Sequence, residues 1–508
     1  LEILPNKRYR KALIHSFGNS LNDMLQYDAA IIGTGMGALT AACLLAKKGL
    51  KCLVLEQNYL PGGCTSSYWR KGFVFESGAT TLVGLDENMP LHRLLAEIGV
   101  EINPTPLELP MQVYLKNGAI LNRYQNLDAW IAEAERVFGT KNQRPFWEFC
   151  YQVSQFVWQT SLLQTAFPPT RLSDFWRCAR QVNFQQLRYA PYAFYSTDWL
   201  LRKFKLHHNQ DFVDFVNEQL MITAQNHASE VNVLFGATAL CYTNYGNYYM
   251  TGGLINLVNP LIAYLENNGS IVKLREEVML VEKIFQKYQI STSKEVYQSN
   301  FLVSGLPINN TLKLYTQCST KKASKILGSE YLNSAFQMGI GFRKENDFQC
   351  IHHQIHLDKP LPQIGSKSIF VSLNHPSDTT RTDEKGQMVA SVSTHIPNPA
   401  HTLIENKAEI ENVIITTLEE KGFLNKDHII YQHSSSQKAW QKWTGREFGF
   451  VGGYPQLRHI KPWQMLDSRL DGHKAYICGD TTYPGQGIPG TVLSGIIAFE
   501  KLTRDWKV

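Results

Sequence analysis

Residues 33–38 read Gly-Thr-Gly-Met-Gly-Ala, and an acid, Glu56, stands 23 positions after Gly33 at the end of a short apolar run. That spacing suits the grip on a dinucleotide. Gly33 permits a tight turn out of a strand, and Gly35 lets backbone approach a diphosphate. Gly37 belongs to the same set, and Ala38 keeps helix and sheet close. A helix opening at this turn directs free N–H groups and its positive dipole end at the phosphates. A carboxylate at the end of the next strand accepts from ribose hydroxyls.

Elements to position these residues follow in order. "YDAAIIG" reads as a short buried strand, "LTAACLLAKKG" as an amphipathic helix ending at Gly49, and "KCLVLE" as a second buried strand closed by Glu56. Strand, glycine turn, helix, strand and acid in register make a dinucleotide-binding βαβ unit. Beyond Glu56 the chain continues with Pro61, Gly62, Gly63, Cys64 and Thr65, then a second small-residue turn at Gly78-Ala79. An NAD-binding unit would pass directly to its next helix. A glycine pair here continues the cradle along a longer ligand, as FAD is.

In these residues the chain resembles the flavin amine oxidase and phytoene desaturase superfamily. "AYICGDTTYPGQGIPGTVLSGIIAFEKL" resembles the family's C-terminal flavin segment, with a helix expected from about Thr491. By that resemblance Gly479 and Asp480 reach the ribityl chain, and the backbone of Gly487 and Ile488 approaches the flavin ring. "YYMTGGLINLVNPLIAYLENNGSIVKLREEVMLVEKI" resembles the family's central return to the FAD domain, in which backbone from Val278 to Val281 touches adenine. The implied cofactor is FAD.

The implied fold is α/β, a Rossmann-like FAD-binding domain of the glutathione-reductase type interleaved with a mixed-sheet and helical substrate domain. Residues 25–85, 248–310 and 470–508 are expected in the FAD-binding domain, and 86–247 and 311–469 in the substrate domain. Residues 1–24 are set aside as an N-terminal extension. Within the substrate domain, "MQVYLKNGAILNRY" reads as a hairpin, "AFQMGIGFRK", "SIFVSLNH" and "MVASVSTHI" as successive strands, and 401–421 as a helix. "WTGREFGFVGGYPQ" resembles the family's glycine-rich loop near the flavin.

Two subfamilies share the finer resemblance. "GDTTYPGQG" and "GGCTSS" resemble carotenoid cis-trans isomerases, and the latter also retinol saturases. "CIHHQIHL" and "GIPGTVLSG" resemble bacterial carotenoid desaturases, although Cys64 departs from the arginine usual in desaturases. The function implied is an FAD-dependent carotenoid desaturase acting on a C40 polyene, with a membrane quinone or oxygen as final electron acceptor. A cis-trans isomerase and a retinol-saturase-like reductase are the alternatives within the enzymes, together with an amine oxidase. A binder of prenylated proteins like the GDP-dissociation inhibitors is the non-enzymatic one.

Composition sets outer limits. The 508 residues carry 50 basic and 44 acidic side chains, a net +6 too mild to argue for nucleic acid. Nine cysteines, an odd number without a CxxC pair, favour free thiols in a reducing, cytoplasmic compartment. No apolar run is long enough for a spanning helix. Between 171 and 208, however, seven basic residues face Asp174 and Asp198 amid many aromatics. The 151–208 segment therefore suits either a surface lying in a membrane interface or amphipathic helices packed on their own domain.

Cys350, His352, His353 and His356 are read as a strand with its histidines on a partly polar edge rather than as a metal site. No catalytic base is singled out. Glu218, Asp480 and His227 are equivalent candidates on sequence grounds.

Overall fold

A computed structural model describes residues 25–181, 187–318 and 320–508. The chain first lays down β1 (Gln26–Ile32), α1 (Met36–Lys47) and β2 (Cys52–Leu55). β1 is buried throughout its Ala29–Ile32 half, as a parallel strand covered on both faces must be. After a first excursion it returns with α2 (Ile255–Asn267), β3 (Ile271–Lys273), β4 (Val278–Ile284), β5 (Lys287–Thr292) and β6 (Val296–Ser304). It returns again at the end with β7 (Ala475–Ile477) and α3 (Gly487–Trp506). These strands form one seven-stranded sheet in the order β3-β2-β1-β6-β5-β4, with β7 also pairing on β6. β1 runs parallel to both β2 and β6, so the glycine turn after Ile32 emerges at the carboxyl edge of the sheet, where ligands of such sheets bind.

α1 is almost wholly buried. It lies among Ala, Leu and Ile side chains of the sheet, α2 and α3, and its small residues set the close approach. α3 starts at Gly487, four residues before the sequence reading. Pro489 falls in the first turn, where a missing N–H costs nothing.

The intervening excursions build a second seven-stranded sheet. Its outer pair is the hairpin Met111–Tyr114 and Ile120–Arg123, followed by the strands His352–His356, Ser368–Leu373, Gln387–Pro397, Asn333–Arg343 and Ile429–Ser435. The expected 401–421 helix runs Lys407–Glu420, opened by the Asn406 side chain accepting from Ala408 N–H. The His352–His356 strand corrects the sequence reading. It is an interior strand, paired with Ser368–Leu373 on one side and Met111–Tyr114 on the other, and all five residues are buried. His352 lies against the Phe370 ring and His353 against Tyr114 and Phe423, while His356 borders a small polar notch with Lys116 and Asp214.

Helices Gln143–Leu163, Gln210–Ala224 and Val233–Leu240 cover the hairpin end of this sheet. Their shared core holds Phe146, Trp147, Phe212 and Phe215 around the fully buried Arg123. Arg123 lies 4.3 Å from the Trp130 ring and donates to Gln219, Thr243 and the Leu240 carbonyl. Burial pushes its guanidinium down to about 10. The 151–208 segment, expected as a helical subdomain, falls on Gln143–Leu163, Leu172–Arg180, a 3-10 stretch Leu187–Phe194 and Thr197–Lys203, while 182–186 lie outside the described residues.

Candidate functional site

The cradle is built from three glycine turns brought together by the sheet. Gly33, at φ +89°, turns the chain out of β1, its N–H donating to the Leu55 carbonyl. Gly35 bridges in parallel to Gly62. A Cβ on Gly35 would meet nothing within 4 Å, whereas one on Gly37 would press at 3.0 Å on both the Gly479 nitrogen and the Thr491 carbonyl. The two glycines thus serve different needs: open space for Gly35, close packing of α1 on α3 for Gly37. A Cβ on Gly305 would in turn strike the Ala38 methyl at 2.5 Å. No side chain caps the N-terminus of α1, so its first N–H groups remain available to an anion.

Glu56 is buried and already organised. Its Oε2 accepts from Thr34 N–H at 3.0 Å and Thr34 Oγ1 at 2.6 Å, and its Oε1 accepts from Asn58 N–H at 2.9 Å. Thr34 Oγ1 in turn accepts from Gly62 N–H at 3.1 Å, joining the acid to the second glycine turn. Gly62 has φ +102°, and a Cβ there would strike Val258 at 2.8 Å. Gly63 lies against the Gly35 backbone. Val278 begins β4 just beyond Glu276, whose N–H donates to the Glu56 carbonyl.

Gly479, at φ +110°, donates its N–H to Ser494 Oγ. Asp480 is paired at 2.8 Å with Arg446, a residue absent from the sequence-derived set. Its only sequence signal is its place in the glycine-rich loop "WTGREFGF". Cys64 lies close enough to both to feel their charges, and burial raises its thiol above the ordinary value.

Cys64, Thr65, Asp480, Gly487 and Ile488 line one end of a cavity of about 750 Å³. Segments 78–83 and 483–491 extend that end, and the wall contributed by the second domain is largely apolar or aromatic, including Phe235, Tyr242, Phe370, Trp440 and Trp463. Val278 and Glu56 are not in its lining; they stand along the groove beside the sheet edge.

Polar side chains also line this wall, some held by neighbours and others, such as Thr160 and Gln164, with a buried oxygen left without a partner. Gln354 takes a hydrogen bond from Gln219 at 2.6 Å, which is itself held by Arg123. Ser368 donates to Glu218 at 2.6 Å. His395 is kept neutral by burial, pushed down to about 4.

The three candidate bases are therefore separated. Asp480 belongs to the cradle end. Glu218 stands behind Ser368, also facing a small polar notch with Lys116, Asp214 and His227. His227 is exposed on that outer side. Among the described residues no group of three metal-ligating side chains converges.

The residues fit a dinucleotide with a long second half. Gly35 offers open backbone where a diphosphate would lie, Glu56 presents a fixed carboxylate at the ribose end, and a glycine-lined floor leads into the cavity.

Residues 31–98 match the family described as NAD(P)-binding Rossmann-like domain. A putrescine oxidase variant superposes with a TM-score of 0.64 at 13% identity, covering 95% of this chain and 99% of that one. Fold and cradle together are those of a Rossmann-like unit interleaved with a second, mixed-sheet unit. Within that architecture the sequence is similar to a chloroplastic prolycopene isomerase of Daucus carota, at 22% identity over 94% of this chain and 80% of the relative. It is also similar to a 4,4'-diapophytoene desaturase of Methylomonas sp, at 22% identity over 94% of this chain and 95% of the relative.

Proposed function

We propose that the protein is an FAD-dependent carotenoid oxidoreductase that introduces carbon–carbon double bonds into a C40 polyene. The observation that carries this reading is the single cavity joining cradle residues Asp480, Gly487 and Ile488 to an aromatic and apolar wall. The full-length likeness to carotenoid-acting proteins supports it.

Bound FAD would supply the hydride acceptor that no side chain provides. Gly33, Gly35, Gly62 and Gly63 would seat its diphosphate, with Gly37 and Ala38 keeping α1 packed close beneath it; Glu56 would hold its ribose, and Gly479 and Asp480 would meet its ribityl portion. Thr65 and Cys64 would flank the path into the cavity. The aromatic wall excludes water and orders the chain against the cradle. Ser368 lines the cavity and donates to Glu218, so a proton released beside the oxidised carbon would be relayed through its hydroxyl to that carboxylate.

Among the described residues no helix is long and apolar enough to cross a membrane. Peripheral contact is the reading for the mouth of the cavity. There Trp463 is half exposed and Cys178 lies on the Leu172–Arg180 helix, which shows Leu172, Phe175 and Trp176 to the outside beside Arg177 and Arg180.

A second reading, cis-trans isomerisation of the polyene by the reduced form, rests on the prolycopene isomerase likeness. Anaerobic incubation of FAD-loaded protein with a polyene in liposomes separates the two. Desaturation bleaches the flavin band and shifts the polyene spectrum to the red. Isomerisation changes the isomer only after prior reduction and leaves the flavin redox state unchanged. Reoxidation by added quinone or by air then identifies the acceptor.

A further inference from the structure

We propose that Arg446 binds the cofactor directly: one guanidinium nitrogen holds Asp480 and the other meets an anionic or hydroxyl oxygen of the diphosphate–ribityl portion. This inference rests on the flavin reading of the cradle.

Charge is the first argument. The cradle segments 33–38, 62–65 and 478–482 contain no lysine or arginine, while Glu56 and Asp480 bring two carboxylates to a groove meant for a diphosphate. Helix dipoles alone leave that balance negative. Arg446 is the cation set beside it, its Nη2 2.8 Å from Asp480 Oδ2.

An unmade hydrogen bond is the second. Arg446 is 13% exposed, and its Nη1 is buried without a partner. Buried guanidinium donors are normally satisfied. Nη2 already binds Asp480, so Nη1 is the free half of a fork suited to a phosphate or hydroxyl oxygen.

The route of the chain is the third. Arg446 follows the helix Gln437–Thr444, on which Trp440 lines the cavity. The loop then crosses the groove. The Trp443 carbonyl accepts from Asn58 at 2.6 Å, two residues beyond Glu56, and the Gly445 carbonyl accepts from Asn310, just past β6. Glu447 accepts from Asn309 at 3.0 Å and Lys313 at 2.9 Å. These ties fix a strap from the second domain over the sheet edge, and the Arg446 ring contact with Phe450, 5.1 Å to the centroid, stiffens it. Cys64, at the position after the glycine pair, leaves room for a guanidinium arriving from this remote loop.

A positioning role, in which Arg446 merely orients Asp480, makes a different prediction. Flavin affinity is measured by fluorescence quenching for wild type, Arg446→Gln, Asp480→Asn and the double variant, with FAD and with riboflavin. Arg446→Lys serves as the charge-preserving control, and the denaturation midpoint of each protein checks folding. Direct binding requires Arg446→Gln to weaken FAD at least tenfold in both the wild-type and the Asp480→Asn backgrounds. Arg446→Lys should retain part of the affinity, and riboflavin, lacking the diphosphate, should be affected less.

Loss of the Arg446→Gln effect once Asp480 is already Asn overturns the proposal and leaves the flavin reading intact. Wild-type protein that takes up no flavin overturns the flavin reading, and this inference with it.

Discussion

Gly35 and Gly37 are two residues apart and alike in the sequence, yet they predict opposite failures. Valine at Gly35 enters open space with an extended backbone, φ −61° and ψ 160°. Gly35→Val should fold with an unchanged denaturation midpoint and lose bound flavin, seen as colourless protein. Valine at Gly37 must displace the Gly479 and Thr491 backbone, so Gly37→Val should cost about 1–3 kcal/mol of stability by overpacking, read as a lower midpoint in urea. Equal loss of stability in both variants would refute this division of labour. The glycine pattern itself was legible because each position answers a local backbone demand. Arg446 was not, because its pairing with Asp480 exists only once a loop from the other domain is folded over the sheet edge. Glu218 and His227 were likewise inseparable until the wall between cavity and surface was known.

Helices show the same boundary between local and tertiary information. The Leu172–Arg180 segment is amphipathic by its spacing, but its orientation is the reverse of an ordinary surface helix. Asp174 faces inward, fully buried, and holds Arg469 at 2.6 Å; Arg469 also binds Asp505 at 2.6 Å, and Lys501 reaches Asp467 beneath. Burial opposes the charged Asp174, yet its Arg469 hydrogen bonds keep it below the usual carboxylate range. Leu172, Phe175 and Trp176 point outward at 81%, 56% and 69% exposure. Sequence could supply the residues of both faces, not which face meets the core, because the buried partner Arg469 lies far along the chain. If the outer face is a lipid contact, Phe175→Asp with Trp176→Asp should abolish flotation with anionic liposomes, with little change in the denaturation midpoint. Neutralising Arg177 and Arg180 should weaken flotation by the loss of roughly 1 kcal/mol per charge. Flotation unaffected by these changes would remove this exposed face from membrane contact.

At the scale of the whole molecule, the two sheets were foreseeable from apolar runs and turn residues, but the interior placement of His352–His356 was not: pairing partners decide whether a histidine-rich strand is edge or centre. That placement gives the protein an acid sensitivity. Burial holds His352 neutral down to about 3, and His353, His356, His395 and His433 down to about 4. An unfolded chain protonates each near 6.5. Between about pH 6.5 and 4 the unfolded state therefore binds more protons than the folded one, so stability present at neutral pH is lost as pH falls through this window. Each histidine contributes a slope of about 1.4 kcal/mol per pH unit once its unfolded form is protonated. Urea midpoints should accordingly drop steeply from pH 7 to pH 4.5. His353, wedged against Phe423 and donating to the Cys350 carbonyl, offers the sharpest check: His353→Gln should lower stability at pH 7.5 and flatten the acid slope by one histidine's share. An unchanged slope in that variant would show that this strand titrates alike in the folded and unfolded chain.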